Sequence, residues 1–228
     1  MKKVKNIKII SLDLFRTIVD IGQTPEMIWQ LFLKDKFSIE LSGKYLKRID
    51  EINSGRCDAS AMGNSNFKTV RTVLEETLTE FFSEINLDYS PKLAANVIME
   101  NHKLAGIFGD VKPFLQKTGG KYKVCLSTDA DEDLIKNVNS IYHFDNLFVS
   151  ETMQMYKLNP GFFQQLIGHY KLPPENILHI GDSKYDIIAP KGLGIQTCWL
   201  NRRNVRWDDT VKPDFEVKSL LEIPDLLD

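Results

Sequence analysis

The residues of this chain best suited to chemistry are an aspartate closing a buried apolar run, a hydroxyl pair, a lysine shortly before a proline, and a spaced pair of aspartates. They are Asp13 after Ile7-Lys8-Ile9-Ile10-Ser11-Leu12; Ser127-Thr128; Lys157 in Tyr156-Lys157-Leu158-Asn159-Pro160; and Asp182 with Asp186 in Gly181-Asp182-Ser183-Lys184-Tyr185-Asp186. Asp182 at a strand end and Asp186 in the first turn of a helix converge on one side and offer the hard oxygen ligands that suit Mg²⁺. Asp13 adds a third carboxylate, and three carboxylates near one point repel one another unless a cation sits between them. A divalent metal ion is the simplest resolution. Taken alone, Asp13 suits an ordinary strand-to-loop junction equally well; the order of the other pieces gives it weight.

The elements around these residues are read from periodicity. Residues 7–13 form a nearly continuous apolar, β-branched run, the pattern of a strand buried on both faces of a parallel sheet. From about Thr24 to Leu104 the period turns helical. Thr24 caps a helix with Pro25 at its first position and Ile28, Trp29, Leu31 and Phe32 on its apolar face. Ser42 starts a second helix through Tyr45, Leu46, Ile49 and Ile52. A longer one carries Val70, Val73, Leu74, Leu78, Phe81, Phe82 and Ile85, and Ser90-Pro91 opens a fourth.

After Leu104, strands near 122–127, 147–149, 176–181 and 195–200 alternate with helices: one capped by Asp110, one from Asp131 to Val138, one opened by Pro160, and one from Tyr185 to Gly192. This succession predicts an α/β fold, a Rossmann-like parallel sheet with helices on both faces. Residues 1–20 and 105–228 form that core, and residues 21–104 form an inserted all-helical subdomain. In such sheets ligands bind beyond the carboxyl ends of the strands, where Asp13, Ser127, Thr128 and Asp182 lie.

Composition bounds the partners. With 228 residues, 43% hydrophobic and 26% charged, and a net charge of -2, the chain reads as an ordinary globular protein without the clustered cations that nucleic-acid binding needs. The apolar stretch after Met1-Lys2-Lys3 is too short for a signal peptide or a membrane span. Cys57, Cys125 and Cys198 show no CxxC spacing, and His102, His143, His169 and His179 show no metal-binding helix spacing, so a reducing cytoplasm is the expected setting.

In order and spacing, these residues resemble the haloacid dehalogenase superfamily over essentially the whole chain. The family pattern DxDxT matches Asp13 and Thr17, with Phe15 substituted. The second motif matches Ser127, the third Lys157, and the acidic fourth Gly181-Asp182-Ser183 with Asp186. The helical block is similar to the cap that this family inserts after its first motif.

The resemblance implies a hydrolase, above all a Mg²⁺-dependent phosphatase acting on a small phosphorylated metabolite through an aspartyl-phosphate. Asp13 is then the nucleophile, and Mg²⁺ is held by Asp13, the Phe15 carbonyl, Asp182 and Asp186. Ser127, Thr128 and Lys157 contact the transferring group, and Thr17 holds the loop after Asp13. Arg16, where relatives often carry glycine, either reaches a substrate anion or pairs with an acid such as Asp20. The partner is a small molecule, not a membrane, and the chain is a monomer or homodimer.

Phe15 is the main departure. In family phosphatases the acid at this position protonates the leaving oxygen, a contribution of roughly two to four powers of ten, and phenylalanine does not supply it. Three other readings follow: a haloacid dehalogenase, which also carries an aromatic residue there; a phosphonatase using a lysine such as Lys34, Lys36, Lys44, Lys47 or Lys68; and a non-catalytic metal-binding regulator. Asp182 and Asp186 weigh against the first, because halide chemistry needs no cation.

Overall fold

The computed structural model describes residues 3–22, 26–40 and 67–227, together with residues 43, 44, 47, 48, 51, 52 and 55. Six strands form one all-parallel sheet: β1 (Ile9–Leu12), β4 (Lys123–Thr128), β5 (Leu147–Val149), β6 (Ile177–Gly181), β7 (Gln196–Leu200) and β8 (Phe215–Val217). Their order is β5-β4-β1-β6-β7-β8. Every residue of β1 is buried, as its apolar run requires. Ser11 sits opposite Cys125 on one side and His179 on the other. The chain leaves β1 for β4 on one flank and later returns to β6 on the other. The crevice between these strand ends is therefore the switch point where a parallel sheet receives ligands.

Strand alternation sorts the core into two layers. Ile10, Leu12, Leu126, Leu178 and Ile180 face α4 (Val111–Thr118) and α5 (Glu132–Ile141), packing with Phe114, Leu134 and Val138. Ile9, Cys125, Phe148 and Ile177 face α7 (Pro160–Tyr170) and α8 (Ile188–Gly192), packing with Phe162, Phe163, Leu166 and Ala189. A short helix, α6 (Ser150–Met153), follows β5, and α9 (Ile223–Leu226) closes the chain.

The helical block comprises α1 (Glu26–Leu33), α2 (Val70–Glu84) and α3 (Pro91–Leu104). These helices bury a core of their own, with Trp29, Phe32, Leu78, Phe81, Phe82, Ala95 and Ile98 packed alongside Ile52. Truncating a fully buried ring such as Phe32 to alanine costs about 3–5 kcal/mol. Ser90 accepts from Leu93 N at 3.3 Å and Thr69 from Thr72 N at 3.2 Å, the caps that stop these helices fraying. The expected Thr24-Pro25 cap, and Ser42, Tyr45, Leu46 and Ile49 of the second helix, lie outside the described residues.

Several local details differ from the sequence expectations. A two-stranded antiparallel ladder, β2 (Val19–Asp20) with β3 (Gly106–Ile107), frames the entry and exit of the helical block, and β8 extends the sheet; neither was expected. Asp110 and Asp131 precede α4 and α5 but do not cap them. Asp131 instead turns to the helical block, accepting from Val70 N at 2.7 Å and Arg71 N at 3.0 Å, and so caps α2 across the contact. Tyr156 Oη donates to Lys68 O at 2.9 Å beside it. The helix expected from Tyr185 is a 3₁₀ turn, Lys184–Asp186, followed by α8.

Candidate active site

β1 delivers Asp13 to the crevice, and its N–H continues the ladder by donating to Ile180 O at 2.9 Å. Lys157 arrives from the loop between α6 and α7, anchored by its own N–H donating to Asp129 Oδ1 at 2.8 Å and by Asn159, which caps α7. Its ammonium donates to Asp13 Oδ1 at 2.6 Å and to Asp186 Oδ1 at 2.5 Å. All three side chains are buried, at 5% exposure for Asp13, 3% for Lys157 and none for Asp186. Buried charges of this kind persist only when paired.

Asp186 is held on every side. Its Oδ2 accepts from Ser183 N at 3.0 Å and Ser183 Oγ at 2.7 Å, and its Oδ1 lies 3.1 Å from His179 Nε2 as well as against Lys157. The carboxyl fills the space over Gly181, where an added Cβ would come within 2.1 Å of Asp186 Cγ, so only glycine fits there. The polar chain continues inward: His179 Nδ1 lies 2.8 Å from Ser11 Oγ, which donates to Ser127 Oγ at 2.7 Å. Ser127 is fully buried and engaged with Ser11.

The electrostatics divide the acids. Burial pushes the Asp13 carboxyl above its ordinary range, with Asp186 and Asp182 adding repulsion that Lys157 only partly offsets. Burial acts the same way on Asp186, but Lys157 and His179 outweigh it and hold that carboxyl well below the usual range. One lysine cannot neutralise two carboxylates, and the one with more donors keeps the charge. Burial and Asp186 push Asp182 up to about 6, and burial pushes Asp129 up to about 6. Lys157 would be lowered by burial, yet Asp13, Asp186 and Asp129 raise it, so it stays charged.

One oxygen from each of Asp13, Asp182 and Asp186 lies within 4.8 Å of the others. Asp186 already receives four donors, whereas Asp182 accepts no hydrogen bond at its carboxylate among the described residues, and Asp13 keeps Oδ2 free of one. The Phe15 carbonyl takes part in none of the backbone hydrogen bonds of the following turn. A hard, oxygen-rich, charge-crowded donor set of this kind fits a divalent cation.

The turn after Asp13 carries the other expected residues. The Phe15 ring lies 5.6 Å from that of His102 on α3, so it meets the helical block. His102 is pushed down to about 4 by burial and by Arg16. Arg16 sits at φ 60°, a left-handed conformation that costs a non-glycine residue roughly 1–2 kcal/mol. It forms no ion pair with Asp20, whose Oδ1 instead accepts from Gly22 N at 3.1 Å. Thr17 Oγ1 and Thr128 Oγ1 are both buried without a hydrogen-bond partner among the described residues.

Sequence reasoning missed Asp129, which stands beside the strand-end pair Ser127-Thr128, an adjacency that was a usable signal. Ser11 and His179, buried and hydrogen-bonded inside the sheet, join the site through strand register, which a single sequence does not display.

The curated relatives divide between two chemistries. The (S)-2-haloacid dehalogenase of Pseudomonas putida is 29% identical over 97 residues, 42% of this chain and 43% of that protein. The chain thus matches less than half the length of that relative. A glyceraldehyde 3-phosphate phosphatase of Pyrococcus furiosus is 23% identical, with 99% of this chain and 93% of that protein covered. Among solved structures, L-2-haloacid dehalogenase RSc1362 superposes with a TM-score of 0.81 at 15% identity, covering 98% of this chain and 99% of that one, a likeness of fold. The profile of the haloacid dehalogenase-like hydrolases matches residues 56–200. That match spans well over half of the chain and runs through Ser127, Lys157, Asp182 and Asp186, and with it the chain belongs to the haloacid dehalogenase-like hydrolase family.

Proposed function

We propose that this hydrolase is a Mg²⁺-dependent phosphatase of small phosphorylated metabolites, with Asp13 as nucleophile and the helical block as the cap that selects the substrate. The observation that carries the reading is Asp182: a carboxylate with no hydrogen-bond donor among the described residues, in a triad with Asp13 and Asp186. Carbon-halogen cleavage has no use for it. The phosphatase relative also aligns along almost the whole chain, the dehalogenase along less than half.

Asp13 and Asp182, with the Phe15 carbonyl, would hold Mg²⁺, while Asp186 keeps Lys157 in place beside them. When bound, the ion would offset the charge of a phosphate dianion and of the nucleophile facing it. Asp13 Oδ2 attacks phosphorus, the ester P–O bond breaks, and the leaving oxygen takes a proton from solvent. Water then attacks the phosphorus of the aspartyl-phosphate, releasing phosphate and restoring Asp13. Lys157 stays charged throughout and stabilises the oxygens of the transferring group. Phe15 offers no proton, so substrates with good leaving groups are favoured.

A second reading, hydrolysis of a 2-haloacid, is supported by Phe15 and by Lys157 already neutralising Asp186 without a metal. Asp13 would then attack carbon and expel halide, which needs no proton. A panel of phosphomonoesters with and without Mg²⁺, run beside a short 2-haloacid, separates the two. Mg²⁺-dependent phosphate release supports the phosphatase, and metal-independent halide release overturns it.

A further inference from the structure

A cavity of about 320 Å³ opens on the outer side of Asp182, lined by Arg16, Asp20, Phe108, Asp182, Asn201 and Arg203 among others. Arg202 also lines it, but its guanidinium is already matched: it donates to Asp110 at 2.8 and 2.9 Å and stacks on Phe108 at 4.0 Å. Arg16 and Arg203 are exposed and form no ion pair among the described residues. Arg16 moreover holds a left-handed backbone that favours glycine, and a residue kept against backbone preference points to a use for its side chain. Two acids, Asp20 and Asp182, line the same cavity. A cation at Asp13 and Asp182 would take up the second of these charges, leaving two unmatched guanidinium groups against one carboxylate.

We propose that this cavity is an oxyanion subsite, in which Arg16 and Arg203 take the second anionic group of a small substrate whose reacting end lies at Asp13. Asp182 belongs both to the cavity wall and to the acid triad, so a short molecule touches both. A planar guanidinium fork fits the two oxygens of a carboxylate or a phosphate, and does nothing for an alkyl end. The subsite deepens the phosphatase reading and rests on it for the reacting end alone.

Calorimetry with phosphonates that are not hydrolysed tests the subsite apart from turnover. With Mg²⁺ present, 2-carboxyethylphosphonate and propane-1,3-diphosphonate are compared with propylphosphonate on the wild-type protein and on Arg16→Gly and Arg203→Ala. The wild type should bind at least one doubly anionic probe about tenfold or more tightly than propylphosphonate, as charge-assisted hydrogen bonds predict. The tighter of the two identifies the second group as carboxylate or phosphate. In each variant the ratio should fall to near one, with propylphosphonate affinity changing far less. Arg16→Gly relieves the backbone, so misfolding is not expected to mask the result. Equal affinities in the wild type, binding of none of the probes, or a ratio that survives both substitutions overturns the subsite. If the ratio holds while no phosphomonoester releases phosphate, the phosphatase reading falls and the subsite stands.

Discussion

Two groups of charges meet at Asp182, and they are built on opposite plans. On the sheet side, the buried Lys157, Asp186 and His179 and the half-buried Ser183 satisfy one another in one cluster. On the outer side, Arg16 and Arg203 face solvent with no ion pair among the described residues, whereas Arg202 has its acid. The inner group is finished by the fold and holds Asp13 in position. The outer group is finished only when something binds. A site that must place a nucleophile and also choose its substrate needs both kinds of wall.

The contrast breaks most severely at Lys157. Lys157→Met leaves the Asp186 charge buried without a cation and takes from Asp13 the one cation that favours its ionised form, so stability should fall by about 3–5 kcal/mol in chemical denaturation, with turnover lost. Next comes Gly181→Ala, whose Cβ collides with the Asp186 carboxyl; a loss of about 1–3 kcal/mol is expected from thermal unfolding, together with weakened turnover.

The arginines sharpen the comparison. Arg202→Ala removes a bidentate pair and a stacked ring, and should cost about 2 kcal/mol, whereas Arg203→Ala should stay within about 0.5 kcal/mol. The smallest effect is in the pH profile. Burial would raise the Asp110 carboxyl, but Arg202, Ser219 and Leu220 together hold it below its ordinary 3.8. The folded state therefore binds that proton less tightly than the unfolded one. Its contribution is complete above about pH 4 and is lost as pH falls through the folded value. Asp110→Asn should flatten that acid limb of the stability curve.

How much of this was legible in the sequence follows from the range of the interactions. β1, β4, β6 and β7 announce themselves because a strand buried on both faces must be apolar throughout, and the acids follow because polar residues collect where such strands stop. The ladder of Val19 with Ile107 escaped notice because each partner strand is two residues long and the two are far apart in sequence. Asp131 precedes α5 in the chain but caps α2, a choice decided by tertiary packing. Asp182 and Asp186 look equivalent in sequence, and only their surroundings separate a saturated carboxylate from an open one.

That separation is the claim most open to test. Calorimetric titration with Mg²⁺ should detect binding to the wild-type protein and a loss of about tenfold or more in Asp182→Asn, which deletes the open carboxylate while leaving the Lys157 cluster intact. Equal Mg²⁺ affinity in the two proteins would contradict the account, since Asp182 would then be a bystander to the ion.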